Sequence, residues 1–391
     1  MSTRASTTLR RLALVATVAG TTLAVSCSSD STSSSCSGRA IAFVGPLTGQ
    51  YRRPPMQNGA ELAVHLYNRE HPDCPVGYIP YDSQGDPDLA KRLAEQIVDD
   101  RQIVAVIGPA YSGETAALLP VINKAGMANV TASATNPTLS QQGWKVFHRT
   151  VVSDDAQGPA AAAFLSDELG VKRVAVIDDG GLYGKTLADL TAADLGRRGV
   201  VIAPRASIDP KRLDYTATVE SIAEIGADAV YFGGVTEPGV RLLRQMRDAG
   251  ITAVFMGGDG IFDSSLITSV GPGAQGALIT CPCLDPTDES TPERSRFAAE
   301  YRNYFGDEPV SFTMEYFDAT QLVLDALDSG ARTREAVESW IDAAKAKGIT
   351  KDFSFDPSGD IETGPIFVLR VEGDQFSLFA SVVGDRVQLL G

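Results

Sequence analysis

The strongest constraint on the fold is a repeated alternation of short apolar runs with longer amphipathic segments. Ile103–Ile107 is one such run, and its entirely aliphatic composition is typical of a strand in a sheet that is covered on both faces. The segments between the runs have helical periodicity; in one of them Leu89, Leu93 and Ile97 recur every four residues. Strands separated by amphipathic helices indicate parallel βαβ units, and hence an α/β fold.

The alternation occurs in two series, which predicts two doubly wound parallel-sheet lobes. Residues 39–152 hold the first series and residues 153–282 the second, and the pattern then changes to helices with little strand between them. We assign these helices, residues 283–352, to lobe 1, and the β-rich residues 353–391 to lobe 2. The chain would then cross between the lobes three times at a hinge, near residues 152, 282 and 352.

The N-terminus has the pattern of a secretory signal. Basic residues precede the apolar segment Leu12–Val25, which is too short and too rich in small residues for a good membrane span. Leu23–Cys27 resembles a bacterial lipobox, so we expect residues 1–26 to be a signal peptide and Cys27 to carry lipid. The polar residues 27–38 would be a flexible tether. An ordinary signal peptide with an incidental cysteine remains an alternative, and Arg10–Arg11 leaves export by the Sec or the Tat route open.

The charge of the chain argues against a nucleic-acid partner. The formal net charge is −15, and the expected signal peptide contains arginines but no acid, so the mature chain is more acidic still. Binding to phosphates requires clustered Lys and Arg. We therefore expect an exported protein without a nucleic-acid partner.

The five cysteines predict one long-range disulfide. If Cys27 is acylated, four cysteines remain, and these allow three connectivities. Cys36 and Cys74 each precede a predicted strand, and the N-terminal ends of neighbouring parallel strands lie close together, so we pair these two. Cys281 and Cys283 would be free thiols or a tight local bridge. Their spacing is not a zinc signature, and we expect no metal ligand among them.

Hydroxyl-bearing loops follow two predicted strands of lobe 1. Ser112 begins a helix, where unpaired N–H groups and the helix dipole attract an anion. Thr135 follows the next strand and offers a hydroxyl and an N–H at the same edge of the sheet. Together they could hold a carboxylate, although Ser112 could equally be only an N-cap and Thr135 only part of a turn.

Lobe 2 offers complementary groups at its own strand ends. Tyr183 places an aromatic ring just before a helix, and Asp259 places a carboxylate in a glycine-rich loop. Ligands of open parallel sheets bind beyond the carboxyl ends of the strands. An aromatic ring could close over a small ligand there, and an acid could hold an ammonium group. Each residue taken singly is more often an ordinary loop residue.

Enzymatic signatures are missing from the sequence. It contains no Gly-x-Ser-x-Gly nucleophile elbow, no phosphate-binding loop and no paired-histidine zinc helix. The three histidines, His65, His71 and His148, are interpreted as structural or surface residues. We therefore expect a binding protein without catalytic residues and without a cofactor.

An ordered set of motifs carries a family resemblance over residues 39–391. These motifs are Gly45–Gly49, Asn58–Ala60, Asp82–Pro87, Ala134–Leu139, Phe147–Thr150, Asp155–Pro159, Tyr183–Gly184 and Met256–Gly260. With them the chain resembles the extracytoplasmic substrate-binding proteins of ABC importers for branched-chain amino acids. The resemblance implies a type I periplasmic-binding-protein fold with an amino acid in the cleft between the lobes.

The resemblance also implies a role for each site residue. Ser112 and Thr135 would hold the carboxylate of the ligand, and the Ser133 carbonyl would help at its amine. Asp259 would pair with the ammonium group, and Tyr183 would pack over the ligand from lobe 2. The implied partners are the membrane permease and ATPase subunits of an importer. We expect a monomer that is lipid-anchored on the outer face of the cell membrane.

Departures from the family pattern leave the ligand open. The loop after Gly49 is short and carries Arg52 and Arg53 in place of a mainly apolar wall, and Val235 and Thr236 stand where an aromatic residue is common. Two other functions remain as alternatives. One is a receptor lipoprotein that presents its ligand to a membrane sensor, and the other is a secreted hydrolase.

Overall fold

The structure, a computed structural model, describes residues 38–49, 51–52 and 55–390. The expected signal peptide, Cys27, Cys36 and Arg53 lie outside the described residues. No helix in these described ranges is long and apolar enough to cross a membrane.

The first part of the chain alternates strands and helices as predicted. Its elements are β1 (Arg39–Gly45), α1 (Gln57–Glu70), β2 (Val76–Asp82), α2 (Pro87–Asp99), β3 (Ile103–Ile107), α3 (Ser112–Lys124), β4 (Ala128–Thr131) and β5 (Phe147–Arg149). The sequence predicted all of these elements except β5, a strand of three residues.

The second part repeats the alternation. Its elements are α4 (Asp154–Ala163), a π-helical segment (Phe164–Glu168), β6 (Arg173–Asp178), α5 (Leu182–Arg197), β7 (Val201–Ser207), α6 (Thr216–Ile225), β8 (Ala229–Gly233), α7 (Thr236–Asp248), β9 (Val254–Gly257), α8 (Ser264–Val270) and β10 (Leu278–Cys281). The sequence pattern predicts a helix that starts at Ala160, but helix α4 begins six residues earlier. Pro159 lies inside this helix, although proline usually interrupts a helix.

The last part has three helices and then antiparallel strands. Its elements are α9 (Pro292–Phe305), α10 (Thr313–Asp328), α11 (Arg334–Asp342), β11 (Lys345–Lys347), β12 (Asp352–Ser354), β13 (Ile366–Glu372), β14 (Gln375–Val383) and β15 (Arg386–Leu389). The sequence pattern predicts that the third of these helices spans residues 333–346, and this is wrong at its C-terminal end. The helix ends at Asp342, because the next residues pair as strand β11 with β12.

Two large sheets organise these elements. The first is five-stranded and parallel, in the order β2-β1-β3-β4-β5, and the second is eight-stranded, in the order β15-β14-β13-β10-β9-β8-β6-β7. We call the first sheet with α1–α3 and α9–α11 the first lobe, and the second sheet with α4–α8 the second lobe. The chain passes between these lobes three times. The residue bounds that we assigned to the lobes stay a prediction.

Local sequence explains why helix α2 begins where it does. The Asp86 carboxylate accepts a hydrogen bond from Leu89 N at 2.9 Å, and Pro87 occupies the first helical position, which needs no N–H donor. One apolar face of α2 then packs against the first sheet through Leu93 and Ile97, both buried. The same combination of cap and apolar stripe had predicted this helix from the sequence.

Charged side chains tie the three connecting segments together. Glu315 Oε1 accepts from Leu284 N at 2.8 Å in the second connection, and Asp318 Oδ2 accepts from Thr350 N at 2.9 Å in the third. Lys351 Nζ donates to a backbone carbonyl of the first connection at 3.0 Å. Glu315 and Asp318 lie on the same helix, α10, so this helix supports the second and third connections, and Lys351 links the third connection to the first.

Candidate functional site

Both sheets reverse their strand order at a point where a crevice forms. In the first sheet the reversal lies between β1 and β3, and in the second between β6 and β8. Ligands of open α/β sheets bind at such switch points, outside the carboxyl ends of the strands. Ser112 follows β3 and Tyr183 follows β6, so the two lobes present their switch points with predicted site residues at each.

The wall of the cleft on the first lobe consists of Ser112 and the loop Ser133–Asn136, and we call it the donor wall. Tyr111 is the N-cap of α3, so Ser112 is its first helical residue rather than the cap. Ser112 Oγ accepts a hydrogen bond from Asn136 N at 3.2 Å. Thr135 is completely buried in this wall.

A buried arginine positions the donor wall. Arg149 Nη1 donates to the carbonyls of Ala134 at 3.1 Å and Asn136 at 2.9 Å, on either side of Thr135. Its Nη2 pairs with Asp360 at 2.6 Å. Because Arg149 binds the carbonyls on both sides of Thr135, it holds the Thr135 loop in place. This positioning role of Arg149 was not predicted from the sequence, although Arg149 belongs to one of the motifs that carry the resemblance.

The wall on the second lobe consists of Asp154, Tyr183 and Asp259, and we call it the acid wall. Tyr183 Oη donates to Asp259 Oδ1 at 2.9 Å and accepts from Gly260 N at 3.0 Å. A Cβ on Gly260 would lie 2.6 Å from the Tyr183 ring, so glycine is required for this close packing. Tyr183 therefore orients the carboxylate as well as placing a ring in the cleft.

Asp154 is a second buried carboxyl in the acid wall that sequence reasoning did not identify. Burial raises the pKa of Asp154 well above its usual range, and the charge of Asp259 raises it further, while the Thr135 hydroxyl acts in the opposite direction. The Asp154 carboxyl and the Thr135 hydroxyl are thus buried neighbours. Asp154 N donates to Thr135 O at 2.9 Å, so the acid wall touches the donor wall here.

The two walls meet around a small cavity at the deep end of the cleft. Ser112, Ser133, Tyr183 and Asp259 line it together, and its volume is about 10 Å³, room for about one water molecule. Thr135 is not among the lining residues of this cavity. The structure thus brings four of the five predicted site residues together around one cavity, and Thr135 is linked to the acid wall through Asp154.

Hydrogen bonds cross the cleft on both sides of this cavity. Asn136 Nδ2 donates to Leu182 O at 2.9 Å, and Ser311 Oγ donates to Phe262 O at 3.0 Å. Each bond joins a residue of the first lobe to one of the second. The lobes therefore touch directly in this structure, which accounts for the small size of the inner cavity.

The cleft widens outward into a space of about 620 Å³. Its lining contains aromatic and aliphatic residues and also charged ones; the former include Tyr51, Tyr111, Leu182, Pro210 and Val235, and the latter are Asp86, Asp88, Glu114, Asp179 and Lys211. This volume is within the usual range for small-molecule sites.

The Asp179 carboxylate in this wider space is used structurally. It accepts from Gly181 N and from Val235 N, each at 3.0 Å, and so joins the loops that follow β6 and β8. Nearby, Thr236 Oγ1 donates to Gly260 O at 3.0 Å and holds the loop that carries Asp259. The loops of the second switch point are thus bonded to one another.

Metal-ligating groups do not gather in the cleft. Within the part of the chain that the structure describes, the one group of three such side chains lies elsewhere, at His148 in the first lobe.

The structure describes three of the five cysteines. Cys281 and Cys283 form a disulfide, so of the two alternatives left open the local bridge is observed. Strands β1 and β2 are parallel neighbours with Arg39 opposite Val76, which supports the placement used to pair Cys36 with Cys74. That bond stays a prediction, as does lipidation of Cys27, because Cys27 and Cys36 lie outside the described residues.

Comparison with known protein families gives a match over most of the chain. The model of the family described as periplasmic binding protein matches residues 40–375. This match confirms the resemblance and implies a location outside the cytoplasm.

Individual relatives and a solved structure agree with this match. An amino acid binding protein of Pseudomonas aeruginosa is 30% identical over 84% of this chain and 88% of its own length. A leucine-, isoleucine-, valine-, threonine- and alanine-binding protein of the same organism is 27% identical over 82% of this chain and 87% of its own. The crystal structure of a leucine binding protein from Thermotoga maritima superposes with a TM-score of 0.81 at 25% identity, over 89% of this chain and 99% of that one. The predicted fold is confirmed, and these relatives are binding proteins rather than enzymes.

Proposed function

Because the chain belongs to the periplasmic binding protein family, we propose that it is the solute-binding subunit of an ABC importer. It would hold one small amino acid, branched-chain or related, between its lobes and deliver it to the membrane permease. The observation that carries this proposal is the meeting of the donor wall and the acid wall around one cavity. A free α-amino acid presents a carboxylate and an ammonium group a few ångströms apart, and the two walls offer the matching partners.

The donor wall suits the carboxylate. Ser112 stands in the first turn of α3, where backbone N–H groups point out of the helix and the dipole favours negative charge. Thr135 adds a buried hydroxyl next to the Asp154 carboxyl. Donors fixed in advance cost little to reorganise when a ligand binds.

The acid wall suits the ammonium group. Asp259 is almost fully buried, and the Tyr183 hydroxyl fixes the orientation of its carboxylate. An ammonium group enclosed between lobes requires a charged or hydrogen-bonding partner, because unpaired buried charge is costly. The backbone carbonyl of Ser133 would be a second acceptor at this position.

The wider cleft suits a side chain of moderate size. Tyr51, Tyr111 and Val235 offer apolar surface, and Lys211 also lines the space. Arg52 is exposed and is not among the lining residues. A branched aliphatic side chain fits this lining.

The ligand carried through native purification tests the proposal. Mass spectrometry of gently purified protein should detect one amino acid, and calorimetry after its removal should give micromolar or tighter binding. Binding of only ligands without an ammonium group would contradict the assignment of Asp259. Binding of no amino acid would contradict the proposed function itself.

We further propose that Cys27 anchors the protein to the outer face of the membrane as a monomer. In cells, Cys27→Ala should release the protein from the membrane fraction and reduce uptake of the labelled ligand. Unchanged uptake after deletion of the gene would instead favour the receptor function.

A further inference from the structure

His148 in strand β5 is the starting point for a second site, outside the lining of the cleft. Its side chain is completely buried, yet neither ring nitrogen has a hydrogen-bond partner within the described residues. Buried polar groups are nearly always hydrogen-bonded, so such an imidazole requires an explanation. Its neighbour Phe355 meets the ring edge-on at 5.0 Å and offers no acceptor.

Two carboxylates of helix α11 face this imidazole. Glu338 and Asp342 are one helical turn apart, and Asp342 Oδ1 lies 3.8 Å from His148 Nε2, which is too long for a hydrogen bond. One ligand atom from each of the three side chains lies within 4.8 Å of the others. The two carboxylates thus lie close to each other and to the Nε2 atom of the buried imidazole.

We propose that His148, Glu338 and Asp342 bind one divalent transition-metal ion, for which Zn²⁺ is the best-matched probe. Imidazole and carboxylate together suit Zn²⁺, whereas Mg²⁺ and Ca²⁺ prefer oxygen ligands alone. Three protein ligands leave a fourth position for water, on the exposed side. Ligand atoms around one Zn²⁺ are about 3–4 Å apart, and the 60% exposed side chain of Asp342 is free to close the difference.

The surroundings of the ring favour a cation. Glu338 is half-buried and lies close to Asp342, so two carboxylates are near one another beside the imidazole. A bound cation would relieve the repulsion between the two carboxylates.

The other histidines show why this site is specific. His65 stacks on Tyr304 and His71 stacks on Tyr67, each with ring centroids 4.1 Å apart. His71 has one carboxylate nearby, Asp328 at 3.5 Å, but no third ligand completes a triad there within the described part of the chain. The interpretation of these two as structural or surface residues stands, whereas His148 departs from it.

The test uses the untagged full-length protein after treatment with a chelator. Calorimetry with ZnCl₂ should show one ion per chain, and saturating Zn²⁺ should raise the melting temperature by about 3 °C or more. Asp342→Asn and Glu338→Gln should each weaken Zn²⁺ binding at least about tenfold. Replacing His148 would also disturb buried packing, so these two partly exposed residues carry the test.

Asp328→Asn is the matched control, because it removes a carboxylate beside a histidine outside the triad. It should leave Zn²⁺ affinity unchanged, and all three variants should bind the amino-acid ligand as the wild type does. X-ray absorption should show one imidazole nitrogen and carboxylate oxygens at about 2.0–2.2 Å. Absence of a Zn²⁺-dependent shift in the wild type, wild-type affinity in Asp342→Asn, or a spectrum without imidazole would each overturn the proposal.

Discussion

The two walls of the cleft differ in chemistry and in the way they are held. The donor wall is built from hydroxyls and backbone N–H groups, and Arg149 fixes its loop from behind through two carbonyls. The acid wall carries two buried carboxyls, Asp154 and Asp259, and the charge of one raises the pKa of the other. The donor wall thus offers groups that suit an anion, whereas the acid wall offers carboxyls that suit a cation.

This difference predicts which wall is more sensitive to substitution. A donor wall made of several weak groups loses one hydrogen bond when a side chain is removed. The acid wall depends on Asp259 for the charge that an enclosed ammonium group requires. Charge changes at the acid wall should therefore cost more affinity than deletions at the donor wall.

The largest expected effect is that of Asp259→Asn on ligand binding. Removing one member of a buried ion pair typically costs about 3–5 kcal/mol, so calorimetry should show an affinity loss of at least about a hundredfold. Asp263→Asn is the matched control, because Asp263 caps α8 by accepting from Ser265 N and does not line the cleft. A loss of less than about fivefold for Asp259→Asn would show that the ammonium group is held elsewhere.

The next effect concerns Glu114, which lies behind the donor wall and accepts from Tyr111 N at 3.2 Å. Burial raises the pKa of Glu114 to about 7, so the folded state holds this proton more tightly than the unfolded state does. The free energy of unfolding should therefore fall as the pH rises from about 4.5 to 7, by about 3 kcal/mol from this group, and stay level above.

Glu114→Gln isolates this contribution. The stability of the wild type minus that of Glu114→Gln, from urea unfolding at several pH values, should decline through this range, because other titrating groups cancel in the difference. If the stability difference between the wild type and Glu114→Gln did not change with pH, Glu114 would have an ordinary pKa.

The smallest effect is expected at Ser112. A hydrogen bond to a charged group contributes about 1.5–3 kcal/mol, so Ser112→Ala should weaken binding by about 10- to 100-fold, less than Asp259→Asn. Ser133→Ala is the control, because the Ser133 hydroxyl donates to Ala110 O at 2.9 Å and only its carbonyl is assigned to the ligand. An effect of Ser112→Ala larger than that of Asp259→Asn would reverse the ranking of the walls.

Local patterns predicted much of the fold. Strand β3 and helix α3 have the predicted bounds, because an aliphatic run and a hydroxyl at a helix start are signals contained in a few residues. The three-residue strand β5 was missed, because its assignment depends on pairing with β4 rather than on its own sequence.

The predicted site residues converge, whereas the groups that support them were not predictable. The burial of Arg149 and Asp154 depends on partners distant in the chain, such as Asp360 for Arg149. A charged residue in a sequence gives no sign of such burial, since most charged residues are exposed. Gly258 and Gly260 beside Asp259 make room for Tyr183, a contact between residues distant in the chain that the sequence did not indicate.

A crystal structure of the protein with its co-purifying ligand tests the central claim most directly. The structure contains a second and larger space, about 840 Å³, beside the connecting segments, with Pro282 and Lys351 in its lining. We predict that the ligand lies instead in the cleft, with its carboxylate on Ser112 and Thr135 and its ammonium group on Asp259. A ligand bound in the larger space, or in the cleft with its two ends reversed, would contradict the account of the two walls.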